Sequence, residues 1–141
     1  MIRHVVGRAF EAANRGDYEA AFAVLPPGYE AYPNPELIGL GFERVYVGPE
    51  ERLRFQNQWI DSLGDFQQEP GEIIDAGEKL VVLTRMRGTG LGSGLTFESE
   101  LGYVLTMSDG RLAREQSFRS HAEALEAAGL QDQVTIPDRA P

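Results

Sequence analysis

The stretch that decides the fold is residues 66–118, FQQEPGEIIDAGEKLVVLTRMRGTGLGSGLTFESELGYVLTMSDGRLAREQSF. Apolar, β-branched and aromatic residues recur in it in runs that glycine- and aspartate-containing turns separate, a pattern typical of strands. Ser108-Asp109-Gly110 is a hairpin turn of the Asp-Gly type. Because no helix interrupts the run, the strands are expected to pair antiparallel. The predicted strands cover residues 66–74, 79–89, 95–107 and 111–118.

The segment ahead of this run predicts two helices. Apolar residues in 2–13 recur at the 3.6-residue period, so this segment forms one amphipathic helix, which glycine ends at Gly16. Asp17 is a good N-cap for a second, short helix over residues 18–25. Two short strands are expected after it, at 29–32 and 43–47.

A third helix is predicted from Pro49 to Leu63, because proline suits a first helical turn and the two glutamates that follow it suit the positive end of the helix dipole. After the strands, residues 120–123 form an S-x-x-E capping box for a helix over 121–128. The polar, proline-containing end of the chain, 131–141, is expected to be a loose tail.

Length and composition fit one domain, which we assign to residues 1–130, with 131–141 as the C-terminal tail. The chain has 141 residues, of which 42% are hydrophobic and 25% charged, near the values of ordinary globular proteins. Its net charge is −9, and Lys79 is its single lysine. This charge disfavours nucleic acid and anionic membranes as partners.

Several kinds of chemistry are excluded or disfavoured by residue type. The chain has no cysteine, which excludes disulfides and thiolate catalysis. His4 and His121 are far apart and the acidic residues are scattered, so we expect neither a metal site nor a cofactor. We see no secretory signal and no membrane-spanning run, and therefore expect a cytoplasmic protein.

Six short segments at the ends of the predicted elements carry a resemblance: Asn14–Asp17, Tyr46–Glu50, Ile73–Gly77, Ser93-Gly94, Ser108–Leu112 and Glu123–Leu130. In this order and spacing, across residues 3–130, they resemble the SnoaL-like family of the nuclear-transport-factor-2-like superfamily. The resemblance implies an α+β fold in which a cone-shaped, curved, mostly antiparallel sheet (an α+β barrel) carries helices on its concave face.

The resemblance also implies a pocket between that concave face and the helices, lined by apolar and aromatic groups with a few polar ones. We expect this pocket near Trp59 and Tyr103, where the long helix and the longest strand converge. Gln116 and Arg114 occupy alternate positions along the last strand with Leu112 and Phe118, so at least one polar head is expected inside the cone. The candidate ligand-binding residues are Trp59, Tyr103, Tyr32, Tyr46, Gln116 and Phe118.

Four strand charges form an alternative site. Arg85 and Arg87 share one face of their strand, as do Glu98 and Glu100 of the next. In the family that the chain resembles, an epoxide hydrolase uses an arginine flanked by two carboxylates to activate water. Strict alternation instead favours a solvated convex face with cross-strand ion pairs. Glu115 and Arg119 at the end of the chain of strands are candidates to extend the same ladder.

Two classes of function stay open, and no catalytic residue is assigned. The first is a cofactor-independent acid/base enzyme of the isomerase, dehydratase or hydrolase type, acting on a small hydrophobic molecule. The second is a non-catalytic ligand-binding or accessory domain. A buried carboxylate or histidine bonded to a partner inside the pocket would favour the enzyme, because burial tunes the pKa of such groups. The resemblance further implies a homodimer that pairs through the convex sheet face.

Overall fold

The computed structural model describes residues 2–90 and 93–130, and the expected tail at 131–141 lies outside them. Five helices and six strands make up the described chain. In chain order they are α1 (Ile2–Asn14), α2 (Tyr18–Phe22), β1 (Glu30–Tyr32), α3 (Pro35–Ile38), β2 (Tyr46–Val47), α4 (Gly48–Ser62), β3 (Leu63–Ala76), β4 (Lys79–Gly90), β5 (Thr96–Ser108), β6 (Arg111–Phe118) and α5 (His121–Ala127).

The helix ends form where the sequence places their caps. Gly16 has a φ of +84° beyond the end of α1, a conformation that glycine adopts without a Cβ clash. The Asp17 side chain accepts a hydrogen bond from the Ala20 backbone nitrogen at 3.3 Å. At α5, the Ser120 hydroxyl accepts one from the Glu123 nitrogen at 3.1 Å. The predicted helices are therefore confirmed, although α2 is shorter than expected and α3 was not predicted.

One six-stranded sheet, in the order β2-β1-β6-β5-β4-β3, carries the fold. Four of its five strand pairs are antiparallel, and β1 runs parallel to β6. The expected α+β class with a mostly antiparallel sheet is therefore confirmed. The register shifts twice between β3 and β4 and once between β5 and β6, and such irregularities bend strands.

The shift between β5 and β6 changes which side chains face inward. Thr106 lies opposite Arg114, whereas Met107 lies opposite Leu112, so Ala113 is an extra residue in β6. A bulged residue reverses the alternation of side chains beyond it. As a result, Leu112 and Glu115, three residues apart, both face the interior.

The two faces of the sheet pack against different helices. On one side of the sheet, which we call the inner face, apolar residues pack against Val6 and Phe10 of α1. These residues are Leu80, Val82, Leu101, Tyr103 and Leu105. Val81, Leu83 and Val104 point the other way and pack against Ala124 and Leu125 of α5; we call this the outer face. The concave face thus carries α1, as expected, while α5 covers part of the opposite face. A Cβ on Gly102 would lie 2.7 Å from the Ala124 Cβ, so glycine permits this close contact.

The charged residues of β4 and β5 lie on the outer face beside α5. Arg85 is opposite Glu100 and Arg87 is opposite Glu98 in the register. Arg85, Arg87 and Glu98 are exposed, as expected for a solvated ladder. A homodimer through this face stays a prediction, which sedimentation at micromolar concentration would test.

Candidate functional site

A cavity lies between α1, the α2 region, α4 and the inner face of the sheet. It measures about 90 Å³, whereas one water needs about 10–15 Å³ by a comparable measure. Val24, which is 54% exposed, stands at its wall and marks the opening to solvent. The lining is mostly apolar, with Val5, Val6, Ala9, Phe10 and Ala13 from α1. Its polar members are Tyr29, Arg52, Gln56, Gln68, Tyr103 and Glu115.

The polar groups reach the cavity from several separate elements. Arg52 and Gln56 are four residues apart, so they lie on the same side of α4. Gln68 and Tyr103 come from the inner face of β3 and β5. Glu115 comes from β6, just after the bulge at Ala113. The cavity therefore gathers polar side chains that are widely separated in the sequence.

A buried ion pair lies at one side of the cavity. The Arg52 Nε is 2.8 Å from the Glu115 Oε1, and the two side chains are 7% and 6% exposed. The Arg52 guanidinium also lies 4.4 Å from the ring centre of Phe22 and 4.8 Å from that of Phe55, an arrangement that attracts a cation to aromatic rings. Burial alone lowers the pKa of Arg52, but the Glu115 carboxylate more than offsets this, so the pKa is raised.

The two oxygens of Glu115 differ in their surroundings. Oε1 accepts hydrogen bonds from the Tyr29 hydroxyl at 2.7 Å and from Arg52. Oε2 is equally buried and has no hydrogen-bond partner among the residues that the structure describes. Burial, and then the Glu115 charge, raise the pKa of Tyr29 well above its ordinary value, so Tyr29 stays a donor. An unpaired buried carboxylate oxygen lowers the stability of the folded protein by about 1–3 kcal/mol or more. Such a group is therefore a candidate for a functional role.

A second cluster of polar side chains lies along the inner face. The Gln68 Nε2 donates to the Thr84 Oγ1 at 3.0 Å and to the Tyr103 hydroxyl oxygen at 2.7 Å. The Thr84 hydroxyl in turn donates to the Leu101 carbonyl at 2.7 Å. Burial raises the pKa of Tyr103 to about 12, partly opposed by the positive charge of Arg52. Tyr103 is therefore protonated at neutral pH.

This arrangement offers a proton acceptor and a hydrogen-bond donor in an apolar chamber. The free oxygen of Glu115 is the acceptor, and the Tyr103 hydroxyl is the donor. Across residues 2–90 and 93–130, no group of three histidine, aspartate or glutamate side chains could hold a metal ion. Within the same ranges, no helix is long and apolar enough to cross a membrane.

Of the six expected ligand-binding residues, Tyr103 lines the cavity. Tyr46 and Trp59 instead belong to an aromatic cluster beside α4. Tyr46 stacks on Phe55 with ring centres 4.8 Å apart, and Trp59 contacts Phe42 and Phe66 at 5.8 and 6.3 Å. Tyr46 and Trp59 therefore pack against other rings and are not among the residues that line the cavity.

The structure also places the last three expected residues elsewhere. Tyr32 donates to Glu30 at 3.1 Å and lies opposite Gln116 in the register of β1 and β6. Gln116 is exposed, whereas its neighbour Glu115 is buried. Phe118 packs against the outer-face cluster under α5. The bulge at Ala113 explains this, because beyond it the odd-numbered residues of β6 face inward.

Arg52 and Glu115 line the cavity although neither was among the expected pocket residues, and Glu115 faces the interior instead of extending the outer charge ladder. A signal for the arginine exists in the helix stripe of α4, where Arg52, Phe55, Gln56 and Trp59 follow the i, i+3, i+4, i+7 pattern. A charged residue within such a stripe indicates a buried polar site. Glu115 has no comparable signal, since nothing in the sequence marks the bulge.

A family model described as a SnoaL-like domain matches residues 6–115. A comparison with the curated proteins gives no match.

Solved structures share the fold at low sequence identity. An NTF2-like protein of unknown function from Burkholderia pseudomallei is 22% identical, with a TM-score of 0.75 over 88% of this chain and 94% of that one. TerC, co-crystallised with polyporic acid, is 20% identical, with a TM-score of 0.74 over 89% and 96%. A putative SnoaL-like polyketide cyclase from Jannaschia is 17% identical, with a TM-score of 0.66 over 98% and 92%.

Proposed function

This chain belongs to the SnoaL-like domain family, and we propose that it is a cofactor-independent enzyme in which Glu115 acts as a general base on a small, mostly apolar substrate. The observation that carries the proposal is the Oε2 of Glu115, which is buried without a hydrogen-bond partner in the described chain and belongs to a residue that lines the cavity. A general base must reach the proton that it removes directly or through one water. Oε2 is available for this, since both protein donors to Glu115 contact Oε1.

The ion pair favours an enzyme over a passive ligand-binding domain. A cavity that only holds an apolar ligand needs no buried charges, and replacing such a pair by apolar residues is often neutral or stabilising. Here Arg52 and Glu115 are both buried, and Phe22, Phe55 and Tyr29 hold them in place. A rigidly held charged group beside a substrate cavity is what acid/base catalysis requires.

The reaction is a proton transfer. Glu115 Oε2 takes a proton from a substrate carbon, the bonding electrons stay on the substrate, and the carboxyl group returns the proton to another substrate atom. Atoms and charge balance without a cofactor, which places the chemistry in the isomerase class. Arg52 and Tyr29 keep the carboxylate oriented while its charge changes.

The substrate is a small organic molecule with apolar surfaces. The α1 side of the cavity is built of valine, alanine and phenylalanine side chains, which favour apolar groups. The structural similarity to TerC bound to polyporic acid and to a protein described as a putative polyketide cyclase supports a small organic ligand.

The general base is tested with 5-nitrobenzisoxazole, a small flat carbon acid. Removal of its carbon-bound proton breaks the nitrogen–oxygen bond and releases a coloured phenolate. We expect Glu115→Gln to lower the rate about 10²–10⁴-fold, the usual contribution of a positioned base. Glu115→Asp keeps the charge but withdraws the oxygen from the cavity, and is expected to lose most of the rate.

Glu98→Gln is the matched control, because Glu98 is exposed on the outer face. It should keep the wild-type rate. Circular dichroism and thermal unfolding establish that each variant is folded. A folded Glu115→Gln protein that retains the wild-type rate would remove Glu115 from the mechanism, and a wild-type protein without any rate above buffer would contradict the enzyme proposal.

A further inference from the structure

We propose that Thr84 and Gln68 fix the direction of the Tyr103 hydroxyl hydrogen, so that the cavity selects a ligand with a carbonyl oxygen. The inference deepens the proposed function and rests on it for the role of Glu115. It follows from the chain of hydrogen bonds that joins Leu101, Thr84, Gln68 and Tyr103.

The Leu101 carbonyl sets the direction of the whole chain. A carbonyl oxygen accepts hydrogen bonds and has no hydrogen to give. At 2.7 Å from that oxygen, the Thr84 hydroxyl must therefore be the donor. Its single hydrogen is then used, so Thr84 accepts the bond from the Gln68 side chain at 3.0 Å.

The orientation of the Gln68 amide follows. The group beside Thr84 must be the NH₂, because a second oxygen there would leave two acceptors facing one another without a hydrogen. The other hydrogen of the same nitrogen points to the Tyr103 oxygen, 2.7 Å away. Both hydrogens of the Gln68 amide are thus directed into the chain.

The backbone of Gln68 is held as firmly as its side chain. The Asn14 Nδ2 donates to the Gln68 carbonyl at 2.6 Å, and the Gln68 nitrogen donates to the Asn14 Oδ1 at 3.2 Å. Gln68 lies between the two register shifts of β3, where the ladder alone would position it less well. The side-chain amide of Asn14 therefore replaces a neighbouring strand at this edge of the sheet.

Tyr103 is left with one hydrogen to donate. In the described part of the chain its oxygen accepts from Gln68, and the hydroxyl hydrogen has no protein acceptor. Tyr103 is buried and lines the cavity, so the hydrogen is available to a ligand there. Glu115, whose Oε2 has no hydrogen-bond partner in the described chain, lines the same cavity. A ligand thus meets a fixed donor and a fixed proton acceptor.

A carbonyl compound with a hydrogen on the neighbouring carbon fits both groups. Glu115 Oε2 removes that proton, the C–H electrons form a carbon–carbon double bond, and the carbonyl electrons move onto oxygen. The resulting enolate oxygen accepts the Tyr103 hydrogen bond, and Tyr103 keeps its proton. Return of the proton from Glu115 to another atom of the enolate completes the isomerisation. Gln68 and Thr84 are positioning residues in this scheme, because they act through Tyr103.

Two ligands test the Tyr103 hydroxyl as a donor. One is acetophenone labelled with ¹³C at its carbonyl, and the other is α-methylstyrene, in which a CH₂ group replaces the oxygen. We expect the bound ketone carbon to move downfield in wild-type protein and to lose this shift in Tyr103→Phe. Thr84→Val should also lose the shift and weaken the preference for ketone over alkene about two- to tenfold, the worth of one hydrogen bond. Thr84→Ser keeps the hydroxyl and should restore both.

The free protein gives a second readout. In ¹⁵N–¹H spectra, both Gln68 side-chain amide hydrogens should be hydrogen-bonded in wild type, and at least one should be released in Thr84→Val. Any of three results would overturn the inference. The first is that the Gln68 amide hydrogens of wild type are solvent-like, the second is that Thr84→Val leaves the ketone shift unchanged, and the third is that wild type has no preference for the ketone. These readouts do not involve proton removal, so loss of the Glu115 mechanism alone leaves them intact.

Discussion

Two sets of arginine and glutamate residues lie on opposite faces of the same sheet and differ in almost every physical respect. In the cavity, Arg52 and Glu115 are 2.8 Å apart with 7% and 6% of their side chains exposed. On the outer side, Arg87 lies 3.9 Å from Glu69, and 49% and 72% of these side chains are exposed. Both sets use the same residue types, so the difference lies in the surroundings.

Burial, and not residue type, separates the cavity pair from the surface pair. Exposed ion pairs contribute about 0–1 kcal/mol because water screens them. A buried pair depends on its partner, since removal of one member leaves an uncompensated charge in an apolar environment. The cavity pair is also held by aromatic rings and by Tyr29, whereas the outer charges face solvent.

The largest expected difference between the two faces is in stability. Arg52→Met leaves the Glu115 carboxylate buried without its partner and should lower the free energy of unfolding by about 3–5 kcal/mol. Arg87→Met, the matched change on the outer face, should alter it by at most about 1 kcal/mol. Urea denaturation of the three proteins measures both values. Equal losses in the two variants would show that burial does not distinguish the two ion pairs.

A smaller expected effect is the pH dependence of stability that Tyr103 causes on the cavity side of the sheet. The pKa of Tyr103 is raised to about 12 in the folded protein, against about 10 in an unfolded chain. Between these values the native state holds a proton that the unfolded state releases, so this contribution to stability is complete below pH 10 and is lost as pH rises towards 12. At 1.36 kcal/mol per pKa unit, about 1 kcal/mol is lost by pH 11.

Tyr103→Phe cannot titrate at this position and supplies the control. The difference in unfolding free energy between wild type and this variant should be constant from pH 7 to 9 and then shrink by about 1 kcal/mol at pH 11. A difference that stays constant to pH 11 would show that Tyr103 titrates as an exposed tyrosine does.

Much of the fold could be predicted from the sequence because its signals are local. Gly16, Asp17 and Ser120 end or begin helices through their own backbone and side-chain preferences. The strands follow from runs of apolar and β-branched residues between turns. The short helix α3 escaped prediction because it lies in a segment rich in proline and glycine.

The site was harder to predict because it depends on features that are not local. One extra residue, Ala113, turns Glu115 inward and Gln116 outward. Strict alternation from Leu112 would instead place Gln116 inside and Glu115 outside. Arg52 becomes a cavity residue because Glu115, from a distant strand, neutralises it. The position of Tyr103 at the cavity could be predicted because this residue lies in the middle of a long buried strand, where alternation holds.

We infer that the buried pair is kept for its chemistry and not for stability. The double variant Arg52→Met/Glu115→Met separates the two roles, because it removes both charges and leaves no unpaired partner. We expect its unfolding free energy to equal or exceed that of wild type, while the rate with 5-nitrobenzisoxazole falls at least about 10²-fold. A folded double variant that keeps the wild-type rate would contradict the account.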